Sequence, residues 1–366
     1  MTHFGSLDGV RCLCIIAVVY HHTFRIDLPL PMFRRGFLGV DMFFVLSGFL
    51  IVTLILRERD RSGLFSLRNF FVRRTLRIFP IYFAIILALA AVAIVRGSGK
   101  IHDSFLPALP YFLTYTYNWY PKPTFFAVAW SLCVEEQFYV FWPPIEKFFK
   151  RGRTLVVLTI FLAVNQLVNF GLLDAFFEEH LGTSDLSVLD ATFTPVCLGV
   201  FLAHFLHSPK SFGRLYRVFG SRHSWIWVSL VAFLVVNLPG ADISGWRRLA
   251  IQMSMTGFLA SLVIRESCSL MPLLTLYPVK RIGMISYGIY LYHVLAKHVA
   301  SSLLAPFDLG KQGFALLVLT LALTIIVSEI SFRFFELPII RLKEKLQVRR
   351  PSATGRVLTK TKPVQM

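Results

Sequence analysis

Charge is scarce in this 366-residue chain: 16% of its residues are Asp, Glu, Lys or Arg, 55% are hydrophobic, and the mean hydropathy is +0.64. So little charge cannot clothe a globular surface in water, which excludes a soluble fold. Acidic residues are the scarcer sign, 20 against 38 Lys and Arg, leaving a net charge of +18. Cysteine is sparse too. Cys12, Cys14, Cys133, Cys197 and Cys268 lie in or beside apolar runs without paired spacing, so neither a metal site nor a disulfide framework is expected. Internal repeats, linkers of altered composition and long polar insertions are all missing, which leaves no place for a second folded domain. Regular apolar–polar alternation is missing as well, which argues against barrel strands.

What is present is a succession of apolar runs, most near the ~20 residues that cross a bilayer as a helix. They cover residues 9–24, 36–56, 78–95, 125–149, 154–173, 188–206, 225–238, 249–264, 282–304 and 314–335. The expected fold is an all-α membrane protein, a single bundle of about ten transmembrane helices within residues 1–342. The first run ends in Tyr20, His21 and His22 and has no small-residue cleavage site, so it reads as a retained helix and not a signal peptide. With the amino terminus inside, 26 of the 38 basic residues fall in inner segments and nine in outer ones. Positive residues favour the cytoplasmic side, so both termini are expected there. This sidedness also accounts for the charge without nucleic acid. Residues 343–366, basic and containing Pro351 and Pro363, are expected to be a disordered cytoplasmic tail that touches anionic lipid.

Ionisable residues at membrane depth cost at least ~2.5 kcal/mol on insertion scales and call for a partner or a function. Arg11 and His22 are eleven residues apart, so they share one helix face about 16 Å apart, while His21 is rotated by about 100°. Asp8 lies one turn before Arg11. Asp41 and Gly48 share a face of the second run, where a helix or ligand can approach beside a carboxylate, or Asp41 can pair with an outer arginine. Ser131, Glu135 and Tyr139 repeat at four-residue spacing as a polar stripe, next to Glu136. Tyr287 and His293 lie in the ninth run. Arg73, Arg74 and Arg77 precede Pro80 where the third run begins, and Arg74 and Arg77 can grip phosphates together, helped by a helix amino terminus, or simply mark the inner side. The aromatic residues of the outer segment 97–124 read as an interfacial belt or as a lid.

Four stretches, LDGVRCLCIIAVVYHH, GFLGVDMFFVLSGFLI, RRTLRIFPIY and WSLCVEEQFYVFWP, supported by ISYGIYLYH and by Phe335, Glu336, Pro338 and Arg341, make the chain resemble the acyltransferase-3 family of membrane-bound acyltransferases. The resemblance implies a ten-helix core that moves an acyl group, usually acetyl, from acyl-CoA to a carbohydrate-type hydroxyl, as in surface polysaccharides, in a bacterial inner membrane. Cys12 stands where glycine is usual, and Cys133 replaces a small residue. Acetyl-CoA or another acyl-CoA is then the donor substrate, with no resident cofactor. Arg74 and Arg77 are expected to hold its phosphates and Arg11 to line the pantetheine path. His22 would be the general base or the acylated nucleophile, oriented by Asp41 or Glu135, with Glu136, Tyr287 and His293 as further cavity candidates. Some relatives append an extracytoplasmic hydrolase-like domain; here that role would fall to a separate partner. The competing expectation is a transporter or flippase, but paired repeats and corresponding broken helices are missing.

Overall fold

The computed structural model describes residues 5–24, 30–181, 193–240, 243–265, 267–310 and 313–346, and among these there is no strand. The longer apolar helices are α1 (Gly5–Thr23), α2 (Leu38–Ser62), α3 (Leu67–Arg96), α4 (Ala129–Phe148), α5 (Arg151–Asn169), α6 (Phe193–His207), α7 (Ser224–Val236), α8 (Gly245–Ile264), α9 (Ser286–Leu304) and α10 (Phe314–Ser331). Each apolar run of the sequence corresponds to one of them, with shifted ends. By length and composition, four helices among the described residues can cross a membrane: α2, α3, α5, and α10 with its continuation to Arg341. A fifth is possible if Pro209–Phe219 and α7, bent by 75°, form one span. Helices α1, α4, α8 and α9 have 19 or 20 residues but fall outside that test, because they carry polar groups such as Arg11, Glu135, Arg248 and His293 along their length.

The largest shift is in α3, which starts eleven residues before the apolar run. Ser66 caps it, its hydroxyl accepting from the backbone N–H of Asn69 at 3.3 Å. Arg74 and Arg77 therefore sit in the second and third turns, beyond the free N–H groups of a helix start, and the expected help from a helix amino terminus is lost. Hydropathy marks where a helix enters apolar surroundings, not where its hydrogen bonding begins. Lys343–Leu346 form a helical turn, so the first residues of the expected tail are ordered; residues 347–366 lie outside the described residues.

Packing centres on α2. A Cβ on Gly48 would stand 2.1 Å from the Val196 carbonyl oxygen of α6, and one on Gly199 of α6 would stand 2.2 Å from the Val45 carbonyl oxygen of α2. The two glycines thus let these backbones touch, as small residues do between membrane helices. Around α1 are gathered α2, α9, α10 and the short helix Tyr277–Met284.

The segment between α3 and α4 folds inward, so only part of its aromatic set stays exposed. Tyr111 and Trp119 are exposed, but Phe112, Tyr115 and Tyr117 are buried. Tyr115 stacks on Tyr82 at 4.4 Å and on Phe79 at 5.3 Å. Tyr82 lies fourteen residues before the end of α3, about 21 Å from that end at 1.5 Å per residue. Such irregular backbone survives only where protein satisfies it. Here the Gln137 amide donates to the Tyr115 carbonyl at 2.8 Å and to Asn118 Oδ1 at 2.8 Å, and the Tyr82 hydroxyl donates to the Phe112 carbonyl at 2.9 Å. Tyr115 holds a left-handed φ of 55° at the turn.

The α2–α6 contact predicts that Gly48→Ala destabilises the purified protein by at least the ~1–3 kcal/mol of an overpacked core. Gly152→Ala, where nothing lies within 4 Å of the added carbon, should leave unfolding in lipid nanodiscs nearly unchanged.

Candidate active site

One face of α2 is left open. Val40, the pair Phe43 and Phe44, Ser47, Leu50, the pair Thr53 and Leu54, and Arg57 recur at three- and four-residue spacing and line a cavity of about 510 Å³. Seventeen residues separate the first from the last, so the cavity runs about 26 Å along α2. Its other walls are the first turns of α1, the Arg74–Ile78 turn of α3, the Ser131–Tyr139 stripe of α4, the start of α9, and Lys343.

The end formed by Arg57 is strongly basic. Arg11, Arg57, Arg74, Arg77 and Lys343 all line the cavity, against Asp8 and Glu135. Asp8, 2% exposed, accepts from Arg11 Nη1 at 3.0 Å and holds that guanidinium at the wall. Arg74 lies over the Tyr139 ring, 4.1 Å from its centroid, a cation–π contact that fixes its direction. The three arginines expected to meet a donor are thus brought together. Arg57 and Lys343 join them although the sequence offered only their sidedness; the signal for Arg57 was its place at the foot of the α2 stripe.

The opposite end sets hydroxyls and one carboxylate among apolar side chains such as Val40, Phe44 and Leu132. Ser47 donates to Glu135 at 2.6 Å. The hydroxyls of Ser131 and Tyr290 meet at 2.7 Å, and Tyr290 also donates to the Val128 carbonyl at 3.0 Å. Tyr287 lines the wall and donates to the Ile78 carbonyl at 2.9 Å. Glu136, rotated away on α4, is buried outside this lining.

His22 stands beyond this end and is not part of the lining. Its Nδ1 lies 2.8 Å from the Val18 carbonyl, so the neutral ring donates from Nδ1 and leaves Nε2 as the basic nitrogen. His22 faces His293 of α9, ring centroids 4.9 Å apart, and His293 lies 5.6 Å from the Tyr290 ring. His293 is fully buried, its Nδ1 donating to the Tyr290 carbonyl at 2.6 Å. Tyr290 and His293 thus form a partition between cavity and His22. His21 instead packs against Phe37, at 5.5 Å. The two histidines therefore face different elements, His22 towards α9 and His21 towards the residue that precedes α2.

The carboxylates expected beside His22 hold other partners. Asp41, 1% exposed, accepts from Arg248 Nε and Nη2 at 3.2 and 3.1 Å and from Gln252 at 3.0 Å, tying α2 to α8. Glu135 holds Ser47, and in this structure the Val18 carbonyl occupies the position at His22 Nδ1. Of the two roles read for Asp41 from the sequence, the pairing with an arginine is the one seen here: the arginine is Arg248, and Gln252 joins it one turn further along α8.

Residues 4–332 match the family described as Acyltransferase domain. Similar proteins include a Staphylococcus aureus (strain COL) protein provisionally named an O-acetyltransferase, 28% identical over 366 residues, covering 92% of this chain and 57% of the relative. The peptidoglycan O-acetyltransferase OatA of Listeria monocytogenes is 26% identical over 359 residues, 91% of this chain and 55% of its own length. The O-acetyltransferase OatA of Staphylococcus aureus (strain NCTC 8325) is 26% identical over 374 residues, 92% and 57% respectively. The chain therefore spans a little over half the length of these relatives. No solved structure matches it.

If Asp41 acts mainly by bracing α8, Asp41→Ala and Arg248→Ala should each lower stability, Asp41→Ala by about 3 kcal/mol because it strands the arginine. The double variant should lose clearly less than the sum of the two, as read from unfolding midpoints in nanodiscs; full additivity would count against the brace.

Proposed function

Because the chain belongs to the acyltransferase family matched over residues 4–332, we propose that it is a membrane-bound O-acetyltransferase taking acetyl from acyl-CoA at the basic end and passing it to a carbohydrate hydroxyl at the other. The observation that carries this reading is the long cavity with arginines at one end and hydroxyls at the other. Arg57, Arg74, Arg77 and Lys343 would hold the donor's phosphates through charge-assisted hydrogen bonds. Its pantetheine arm would pass Arg11 and bring the thioester towards Ser47, Ser131 and Tyr290.

His22 Nε2 would take the proton of the acceptor hydroxyl as its oxygen attacks the thioester carbonyl. The tetrahedral intermediate would collapse with loss of the CoA thiolate, which takes up the proton held by His22 and so restores the base. Since Tyr290 and His293 stand between the cavity and His22, the transfer would occur where that partition opens. The acceptor class suggested by the Listeria relative is peptidoglycan, with other cell-surface glycans of the same hydroxyl chemistry alongside. In this reading about ten helices span a bacterial inner membrane with both termini cytoplasmic, and the relatives' extra length leaves room for an extracytoplasmic partner function.

Reporter fusions test the orientation: after Asp60 and Lys150 they should read as cytoplasmic, and near Gly99 as external. An external signal at Asp60 would place the basic end on the wrong side for a cytoplasmic donor.

Acetyl transfer to glycan fragments by the purified chain tests the chemistry. His22→Ala should lower the rate by ~10²- to 10⁴-fold, the usual cost of losing a general base, while donor binding survives. His21→Ala should retain most activity. An active, well-folded His22→Ala protein would remove His22 from the reaction.

A further inference from the structure

A second cavity, of about 250 Å³, opens beside the first and shares two residues with it, Thr53 and Arg57 of α2. Its remaining walls come from α2, α6, α8 and the short helix Pro209–Phe219, and include Leu56, Ala203, His207 and Phe212. Most of this lining is apolar. Its polar groups are the Arg57 guanidinium, the Thr53 hydroxyl and the His207 imidazole, whose Nε2 lies 3.6 Å from Asp60 Oδ1. Ala203 is buried and Phe212 is 38% exposed, so the cavity has a closed floor and a partly open aromatic wall.

We infer that this side cavity is the subsite for the purine nucleoside of the donor, an inference that rests on the acyl-CoA reading above. Three features of chemistry meet there. A nucleoside is joined directly to the phosphates it carries, so its base must lie close to the groups that hold them, and Arg57 belongs to both cavities. A purine is a flat, apolar ring system that stacks on an aromatic side chain, which Phe212 supplies. Its edge carries hydrogen-bond donors and acceptors, which Thr53 and His207 can answer. Anchoring the nucleoside to one side of Arg57 would leave the main cavity free for the extended pantetheine arm. Binding energy taken from this non-reacting end would then position the thioester at the far end.

The test compares three probes on the full chain in nanodiscs: acetyl-CoA, S-acetyl-4′-phosphopantetheine, which lacks the nucleoside, and adenosine 3′,5′-bisphosphate, which lacks the arm. Ala203→Phe fills the floor of the cavity, and Phe212→Ala removes an aromatic wall at a partly exposed position that tolerates truncation. Each should reduce the preference for acetyl-CoA over the phosphopantetheine thioester about tenfold, and weaken adenosine 3′,5′-bisphosphate about equally, the scale of one lost base stacking contact. An unchanged preference in both variants, or a parallel loss of both thioesters, would overturn the subsite while leaving the donor reading intact. A wild-type protein with no affinity for acetyl-CoA would overturn the donor reading and the subsite with it.

Discussion

The architecture turns on two missing side chains. Gly48 and Gly199 let the backbones of α2 and α6 press together, each glycine against a carbonyl of the other helix. With one face of α2 sealed against α6, and Asp41 tied to α8 beside it, the neighbouring face is left to line the cavity from Val40 to Arg57. In a medium as apolar as the helices themselves, association depends on such close approach more than on hydrophobic burial. A single helix thus serves as the seam of the bundle and as a wall of the site.

Charge is placed with similar economy. The arginines at the basic end are held by contacts that keep them available: Arg11 by Asp8, Arg74 by the face of Tyr139. Neither contact occupies the whole guanidinium, and each fixes its direction towards the cavity. At the other end the hydroxyls of Ser131 and Tyr290 satisfy one another and a backbone carbonyl. Those hydroxyls are hydrogen-bonded where they stand, so opening that end means exchanging these polar contacts for others.

The ten apolar runs were legible because length and hydropathy are local properties of the chain. The stripe of Ser131, Glu135 and Tyr139 was legible because periodicity alone puts those residues on one face, and all three line the cavity. The divergence of His21 and His22 followed from the same geometry. What could not be read depended on other helices. An arginine partner for Asp41 was among the readings of the sequence, but not that it is Arg248, nor that Gln252 joins it, some two hundred residues away. Lys343 reaches the cavity from a segment whose composition reads as tail. The start of α3 at Leu67 lies in sequence too polar for hydropathy to register, and Ser66, the cap that fixes it, looks like many other serines.

The inward fold between α3 and α4 bears on how the chain is assembled. Tyr115 rests on Tyr82 and Phe79 of α3, and its carbonyl is satisfied by Gln137 of α4. Residues 112–118 therefore have no resting place until both helices stand side by side. During synthesis α3 emerges first, the intervening segment second and α4 last, so the segment can settle only once α4 has come to stand beside α3. The order of construction differs from the order of the sequence. A lesion at Gln137 would thus be felt first as a protein that reaches the membrane but does not finish folding there.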